Sequence, residues 1–232
     1  MPIPGLVIPG HALSGGNDAY TKLLLHMNGS DASTTFADSS ASAHTVGVVG
    51  NAQIDTAQSR FGGASGFFDG SGDYLTLDGS SDFAFGTGDF TVDFWWRTPA
   101  SVADHAFFDC RPASTNGAYP LIAYENSGSK FLYYVNTAVQ ISGGSASPNT
   151  WYHLAVSRAG GTTRLFVNGT QIGSSYADST NYLNGGAGRP VIGTLGYLTS
   201  LYNLGGWIDE MRVSKGIARW TGSFTPPTEA YF

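Results

Sequence analysis

Glu125, Glu210 and Glu229 are the only glutamates in the 232-residue chain, and their placement limits its acid–base chemistry. Cleaving a glycosidic bond takes two carboxylates about 5–9.5 Å apart across the bond. On a strand, two side chains share a face only when an even number of positions separates them. No glutamate here begins such a pattern, and the neighbours Asp209 and Glu210 would point to opposite faces. Asp89 and Asp93 have the right parity, but Asp89 follows Gly88 at the very start of its strand. His26, His44, His105 and His153 are scattered, and no nucleophile elbow, zinc-binding H-E-x-x-H or phosphate-binding loop occurs. The expectation is a protein that is not an enzyme.

Binding chemistry has better material. In Phe90–Arg97, Phe90, Val92, Phe94 and Trp96 share one face, while Thr91, Asp93, Trp95 and Arg97 share the other. Trp151–Arg158 alternates likewise, with Tyr152, Leu154 and Val156 opposite His153, Ala155 and Ser157. Asp93, Trp95, Arg97 and His153 could therefore form a sugar-binding platform, an aromatic face ringed by polar groups. Coverage of the same aromatic by a loop is the competing reading. Tyr119, Tyr124, Tyr133, Tyr134, Tyr197 and Tyr202 are further aromatics, most of them expected in the core or an interface.

These residues need strands to position them. Short aromatic and β-branched runs alternate with Gly, Ser, Asn and Asp clusters from Tyr20 onward, which predicts about fourteen strands and an all-β sandwich. Asn168-Gly169 between two such runs predicts a tight hairpin, because both central residues of a type I′ turn need positive φ. One turn of helix is expected near Ile217–Trp220. Charged residues make up only 12% of the chain, with three lysines, too few to solvate long surface helices.

A net charge of −6 and the absence of a basic cluster argue against nucleic acid as a partner. Cys110 is the single cysteine, so no internal disulfide can form. The opening MPIPGLVIPG lacks a basic n-region, so no signal peptide is expected, and no apolar run approaches the ~18 residues of a membrane span. Met1–Ala19 is rich in Pro and Gly yet carries the apolar Ile3, Leu6, Val7 and Ile8. It reads as an extended arm that buries these residues on a partner or straps its own domain, with one domain from 20 to 232.

Five ordered blocks carry a resemblance. Phe61-Gly62-Gly63-Ala64 running on to Phe68-Asp69-Gly70 and Asp73-Tyr74-Leu75 is the first, and Asp89-Phe90-Thr91 with Trp95 the second. Trp151-Tyr152-His153-Leu154-Ala155, Leu165-Phe166-Val167-Asn168-Gly169 and Ile208-Asp209-Glu210-Met211-Arg212 complete the set. Together they resemble laminin-G-like, concanavalin-A-like domains. The resemblance implies a two-sheet antiparallel jelly-roll sandwich.

The closing run Ser214–Thr228 and the opening Leu23–Gly29 are similar to laminin-G-like proteins of tailed bacteriophages. That likeness implies a virion protein, as capsid decoration, fibre or tail-associated part, made in the host cytoplasm. It would attach to other virion proteins and could reach host surface glycans. A homo-oligomer, for example a trimer, would suit such a place. A free carbohydrate-binding module is the alternative, and a glycan-cleaving enzyme the third, disfavoured reading. The resemblance also implies one structural calcium ion, with Asp209 as the best ligand and Asn28, Gly29 and Asp69 as lesser ones.

Overall fold

The structure is a computed structural model and describes residues 16–232. Ile3, Leu6, Val7 and Ile8 of the expected arm lie outside the described residues. Fifteen strands form two antiparallel sheets, as expected for an all-β jelly roll.

Sheet A runs in the order β13 (Thr170–Ala177), β12 (Thr162–Val167), β11 (Trp151–Ala159), β6 (Phe90–Arg97), β15 (Gly205–Lys215), β4 (Ser65–Asp69) and β3 (Gln53–Asp55). β1 (Thr21–Leu25) also pairs with β15. Sheet B runs β10 (Ala138–Gly143), β9 (Lys130–Val135), β8 (Leu121–Glu125), β7 (His105–Asp109), β14 (Val191–Ile192), β5 (Tyr74–Leu77) and β2 (Val46–Val49).

Period-two alternation sets what lies between the sheets. Phe90, Val92, Phe94 and Trp96 of β6 meet Phe107, Ile122, Tyr124, Phe131 and Tyr133 from sheet B, all nearly or fully buried. Trp96 is central: its ring packs against Phe107 at 4.8 Å, and its indole N–H donates to the Gly205 carbonyl at 3.2 Å. Complete burial of such a side chain contributes about 1.5–3 kcal/mol, so this layer carries most of the fold's driving force.

Asn168 adopts φ +49° and Gly169 φ +76° between β12 and β13, the hairpin geometry that the dipeptide predicted. The helical turn expected at Ile217–Trp220 does not form. The Arg219 N–H donates to the Thr91 hydroxyl (2.9 Å), and that hydroxyl donates to the Ile217 carbonyl (3.2 Å), so these backbone groups serve β6 instead of a helix. Among the described residues the helical element is a 3₁₀ turn at Ser81–Phe83.

Residues 16–19, grouped with the arm on composition, are tied to the sandwich. The Asn17 N–H donates to the Phe232 carbonyl at 2.9 Å, and Asp18 pairs with Arg219 at 2.9 Å.

Candidate functional site

The outward face of sheet A holds the residues proposed as a platform, and most of them are sealed. Trp95 is 5% exposed, and Asp93 and His153 are fully buried. Cross-strand register places His153, Trp95 and Asp209 in one row across β11, β6 and β15, and Ala155, Asp93 and Arg212 in the next. Two remote segments roof these rows. Arg60 lies 4.0 Å over the Trp95 ring, and Phe61 meets it edge-on at 6.0 Å. Trp220 and Phe224, stacked at 4.0 Å, close over His153 from the C-terminal side. The Tyr231 hydroxyl donates to Asp93, and the Arg212 guanidinium stacks 3.8 Å from the Tyr231 ring while pairing with Asp93 at 3.0 Å.

The platform of Asp93, Trp95 and His153 is therefore corrected to a buried structural network. Its electrostatics fit that role. Burial opposes the Asp93 charge, yet the paired Arg212 guanidinium holds its carboxyl at about 2. Burial pushes His153 down, so its imidazole is neutral, 3.7 Å from Asp93 and too far for a hydrogen bond. Arg97, the fourth candidate, stands apart over Trp207 at 5.1 Å. That indole is itself spent, donating to Asp55 at 2.6 Å.

The calcium candidates divide. Asp209 is buried, and its Oδ2 accepts the Arg60 and Phe61 N–H groups at 2.8 and 3.0 Å, while its Oδ1 has no partner. Burial, with the Glu210 charge beside it, pushes its carboxyl up to about 7. The Asn28 carboxamide packs against Gly62 in the same loop, where a Cβ would collide with it. Asn28 and Asp209 thus meet the same 60–62 segment, and an orphaned buried oxygen is what an oxygen-seeking cation would use. Gly29 follows Asn28 and faces Ile54. Asp69 is not part of this group: it pairs with Gly205, four positions along β15 from Asp209, or about 13 Å. Its carboxylate instead caps the Ser71 N–H at 2.7 Å.

The opposite face of the molecule is different. Outward residues of sheet B form a buried apolar floor: Ala106 of β7, Ala123 of β8 and Leu132 of β9 lie side by side in register, with Leu121 and Tyr134 in the next row and Leu195 and Tyr202 packed over them. The 193–204 loop folds over one margin, held by the Tyr202 carbonyl accepting the Ala106 N–H at 2.8 Å. The result is a groove of about 370 Å³ flanked by Tyr134, Tyr197 and Tyr202.

Arg111 stands at one end, in a 2.7 Å ion pair with fully buried Asp109. The same Asp109 oxygen, Oδ2, also accepts the Gly196 N–H at 2.7 Å, so this pair locks the loop that carries Tyr197. Arg111 Nη1 donates to Asn116 at 2.9 Å, and the guanidinium lies 5.2 and 5.6 Å from the Tyr134 and Tyr197 rings. At the other end, burial and the Asp104 and Glu125 carboxylates push the Tyr202 phenol up, so it stays a hydroxyl.

This groove was only partly visible in the sequence, where the three tyrosines stood undistinguished among six. The available signal was the alternation of outward Ala106, Ala123 and Leu132 with inward Phe107, Ile122 and Phe131. Small outward residues leave room for a covering loop, here the one that brings in Leu195 and Tyr202.

A family model described as the concanavalin A-like lectin/glucanases superfamily, of the laminin-G type, matches residues 69–218. The chain belongs to that family. The matched span runs from the end of β4 through β15 and so includes every strand of the groove floor. No curated protein sequence matches the chain.

Among solved structures, a binding domain of botulinum neurotoxin DC in complex with SialylT is similar at TM-score 0.62 and 15% identity, over 87% of this chain and 49% of that one. Domain 4 of an extracellular arabinanase from Geobacillus stearothermophilus, in complex with arabinotriose, is similar at TM-score 0.61 and 16% identity, over 85% and 93%. A botulinum neurotoxin type C structure, concerned with cell entry through two ganglioside molecules, gives 0.60 and 12%, over 86% and 49%. The chain spans about half the length of the toxin chains. At these identities the likeness is one of fold.

Proposed function

We propose that this protein is a non-catalytic glycan-binding jelly roll whose sugar lies in the groove on the outer face of sheet B. The observation that carries this reading is the meeting of Tyr134, Tyr197 and Tyr202 with the Arg111–Asn116 pair around one groove. Aromatic faces give a sugar ring its stacking surface, and fixed polar groups orient its hydroxyls. The arabinotriose and SialylT complexes of similar folds support the reading.

The groove's carboxylates argue against hydrolysis. Asp109 sits opposite Leu121, and Glu125 is four positions further along β8, so their backbones are about 13 Å apart, beyond a glycosidase pair. Both Asp109 oxygens are also committed to Arg111 and Gly196. A glycan array on wild type and Tyr197→Ala tests the proposal: signal on wild type that falls at least tenfold in the variant is expected. Equal signal from both proteins would remove the site.

The wider setting proposed is a tailed-bacteriophage virion, resting on the resemblance of Ser214–Thr228 and of Leu23–Gly29. The protein would sit there as a decoration, fibre or tail-associated part, in several copies. Met1–Ala19 with Ile3, Leu6, Val7 and Ile8 would be the attachment arm, and weak sites repeated over the particle would sum to high avidity. Deleting residues 1–15 of this arm, which spares the tied residues 16–19, should abolish incorporation into particles while leaving sugar binding intact.

A structural calcium at Asp209 and Asn28 is proposed from the unpartnered Asp209 oxygen. A melting temperature lowered by EDTA and restored by added calcium is the expected outcome; an unmoved one would end the proposal.

A further inference from the structure

We infer that the glycan held here is a linear, uncharged oligosaccharide, running from the groove past Tyr202 and across one end of the sandwich to Trp207. This rests on the reading of the groove as a glycan site.

The groove does not stop at Tyr202. A second hollow, of about 550 Å³, begins on the same tyrosine and crosses the end of the sandwich. Leu201 and Tyr202 wall it on the sheet B side, and Phe67 of β4 and Trp207 of β15 on the sheet A side. The groove follows β8 from Leu121 to Glu125, about 13 Å, and the two sheets stand about 10 Å apart. A single sugar ring fills only a fraction of that path. The walls are within reach of a ligand: Leu201 is 49% exposed and Tyr197 36%, while Phe67, Tyr202 and Trp207 are half-buried.

Tyr202 joins the two spaces. Its phenol feels both Asp104, which lines the hollow, and Glu125, which lines the groove. The segments carrying those carboxylates are tied together, since Asp104 accepts the Asn126 N–H at 2.7 Å. The loop itself is pinned by Asn203. Its carboxamide donates to the Thr194 hydroxyl at 2.9 Å and the Thr199 carbonyl at 3.0 Å, and accepts the Gly72 N–H at 3.1 Å. A rim fixed before binding loses little affinity to its own ordering.

Trp207 ends the path with a ring held in place. Its indole N–H donates to Asp55 at 2.6 Å, and Phe67 packs beside it at 5.3 Å, yet the side chain stays partly exposed. Accessible aromatic rings at the two ends, Tyr197 and Trp207, suit a chain of sugar rings that one sugar could not bridge.

Charge narrows the class. Asp69 and Asp104 line the hollow without a lysine or arginine, and burial pushes His105 down, so that its imidazole is neutral. Each carboxylate gives one oxygen to a backbone N–H, which leaves the other for sugar hydroxyls. An acidic polysaccharide would meet two like charges there.

The test is a calorimetric titration of the full chain with linear oligosaccharides two to six residues long. Arabino-, xylo-, cello-, manno- and chito-oligosaccharides form the neutral series, and oligogalacturonides the acidic one. In at least one neutral series affinity should rise tenfold or more from dimer to hexamer. In Trp207→Ala that gain should fall below threefold. Because Trp207 also packs on Phe67, Leu201→Asp serves beside it: this exposed loop position should lose the same gain at a nearly unchanged melting temperature. Tyr197→Ala should instead weaken every length. Affinity level from dimer to hexamer, a gain unaltered in either variant that keeps its fold, or tightest binding of an oligogalacturonide would overturn the inference while leaving the glycan site standing. Binding of no series would overturn the site and the inference together.

Discussion

The outer faces of the two sheets are built from the same alternation and are closed in different ways. On sheet A, the outward row of His153, Trp95 and Asp209 carries rings and charges, and the chain roofs it with Arg60, Phe61, Trp220, Phe224 and Tyr231. On sheet B, the outward row of Ala106, Ala123 and Leu132 is apolar and buried too, but under Tyr134, Leu195 and Tyr202, which with Tyr197 border a groove. The richly functionalised face is thus the structural one. A buried Asp93–Arg212 pair must be enclosed and satisfied before it can be tolerated, so aromatic and ionic side chains on a strand are as good a sign of a roof as of a ligand.

Four experiments would break or sharpen this contrast. Arg212→Ala strips the partner from a fully buried Asp93 and should cost about 3–5 kcal/mol in urea unfolding, with sugar affinity per folded molecule unchanged. If affinity fell while stability held, the sheet A face would be a site after all. Trp220→Ala opens the roof over His153 and should cost about 3 kcal/mol. An unchanged unfolding midpoint would show that the roof is not holding the face.

The third concerns acid. The Asp93 carboxyl titrates at about 2 in the fold against an ordinary 3.8, so the unfolded chain takes up its proton first as pH falls. The stabilisation from this group is full above pH 3.8 and lost as pH drops through about 2. It amounts to about 2 kcal/mol. Calorimetry should find this acid slope in wild type and its loss in Asp93→Asn. On sheet B, Tyr134→Ala should change stability by less than about 1 kcal/mol, because the ring is half-exposed, yet weaken sugar binding tenfold or more. A large stability loss with unaltered binding would make Tyr134 mere packing.

Strands and their inward faces were legible in the sequence because period two is a local property: β6 and β11 could be sorted residue by residue. Only β3, three residues long, escaped. Whether an outward face is covered is not local. Arg60 lies 35 positions before Trp95, and Phe224 lies 71 positions after His153, so nothing near the platform announced its roof. Asp209 was singled out, but its unpaired oxygen arises from a register shift between Asp209 and Arg212, with Glu210 at φ +50°, which no spacing rule contains. The groove has the same character. Tyr134, Tyr197 and Tyr202 meet because a loop folds back over β7, and Asp109–Arg111, two apart on one face, was the local hint of the clamp that holds it.

The hydrogen bond from Asn17 to Phe232 carries a consequence for orientation. Strand β1 is reached, and the described chain leaves, at one point on the sheet A side, while the groove opens on the far side of the sandwich. Whatever is joined through residue 16 or Phe232 therefore starts on the side away from the groove.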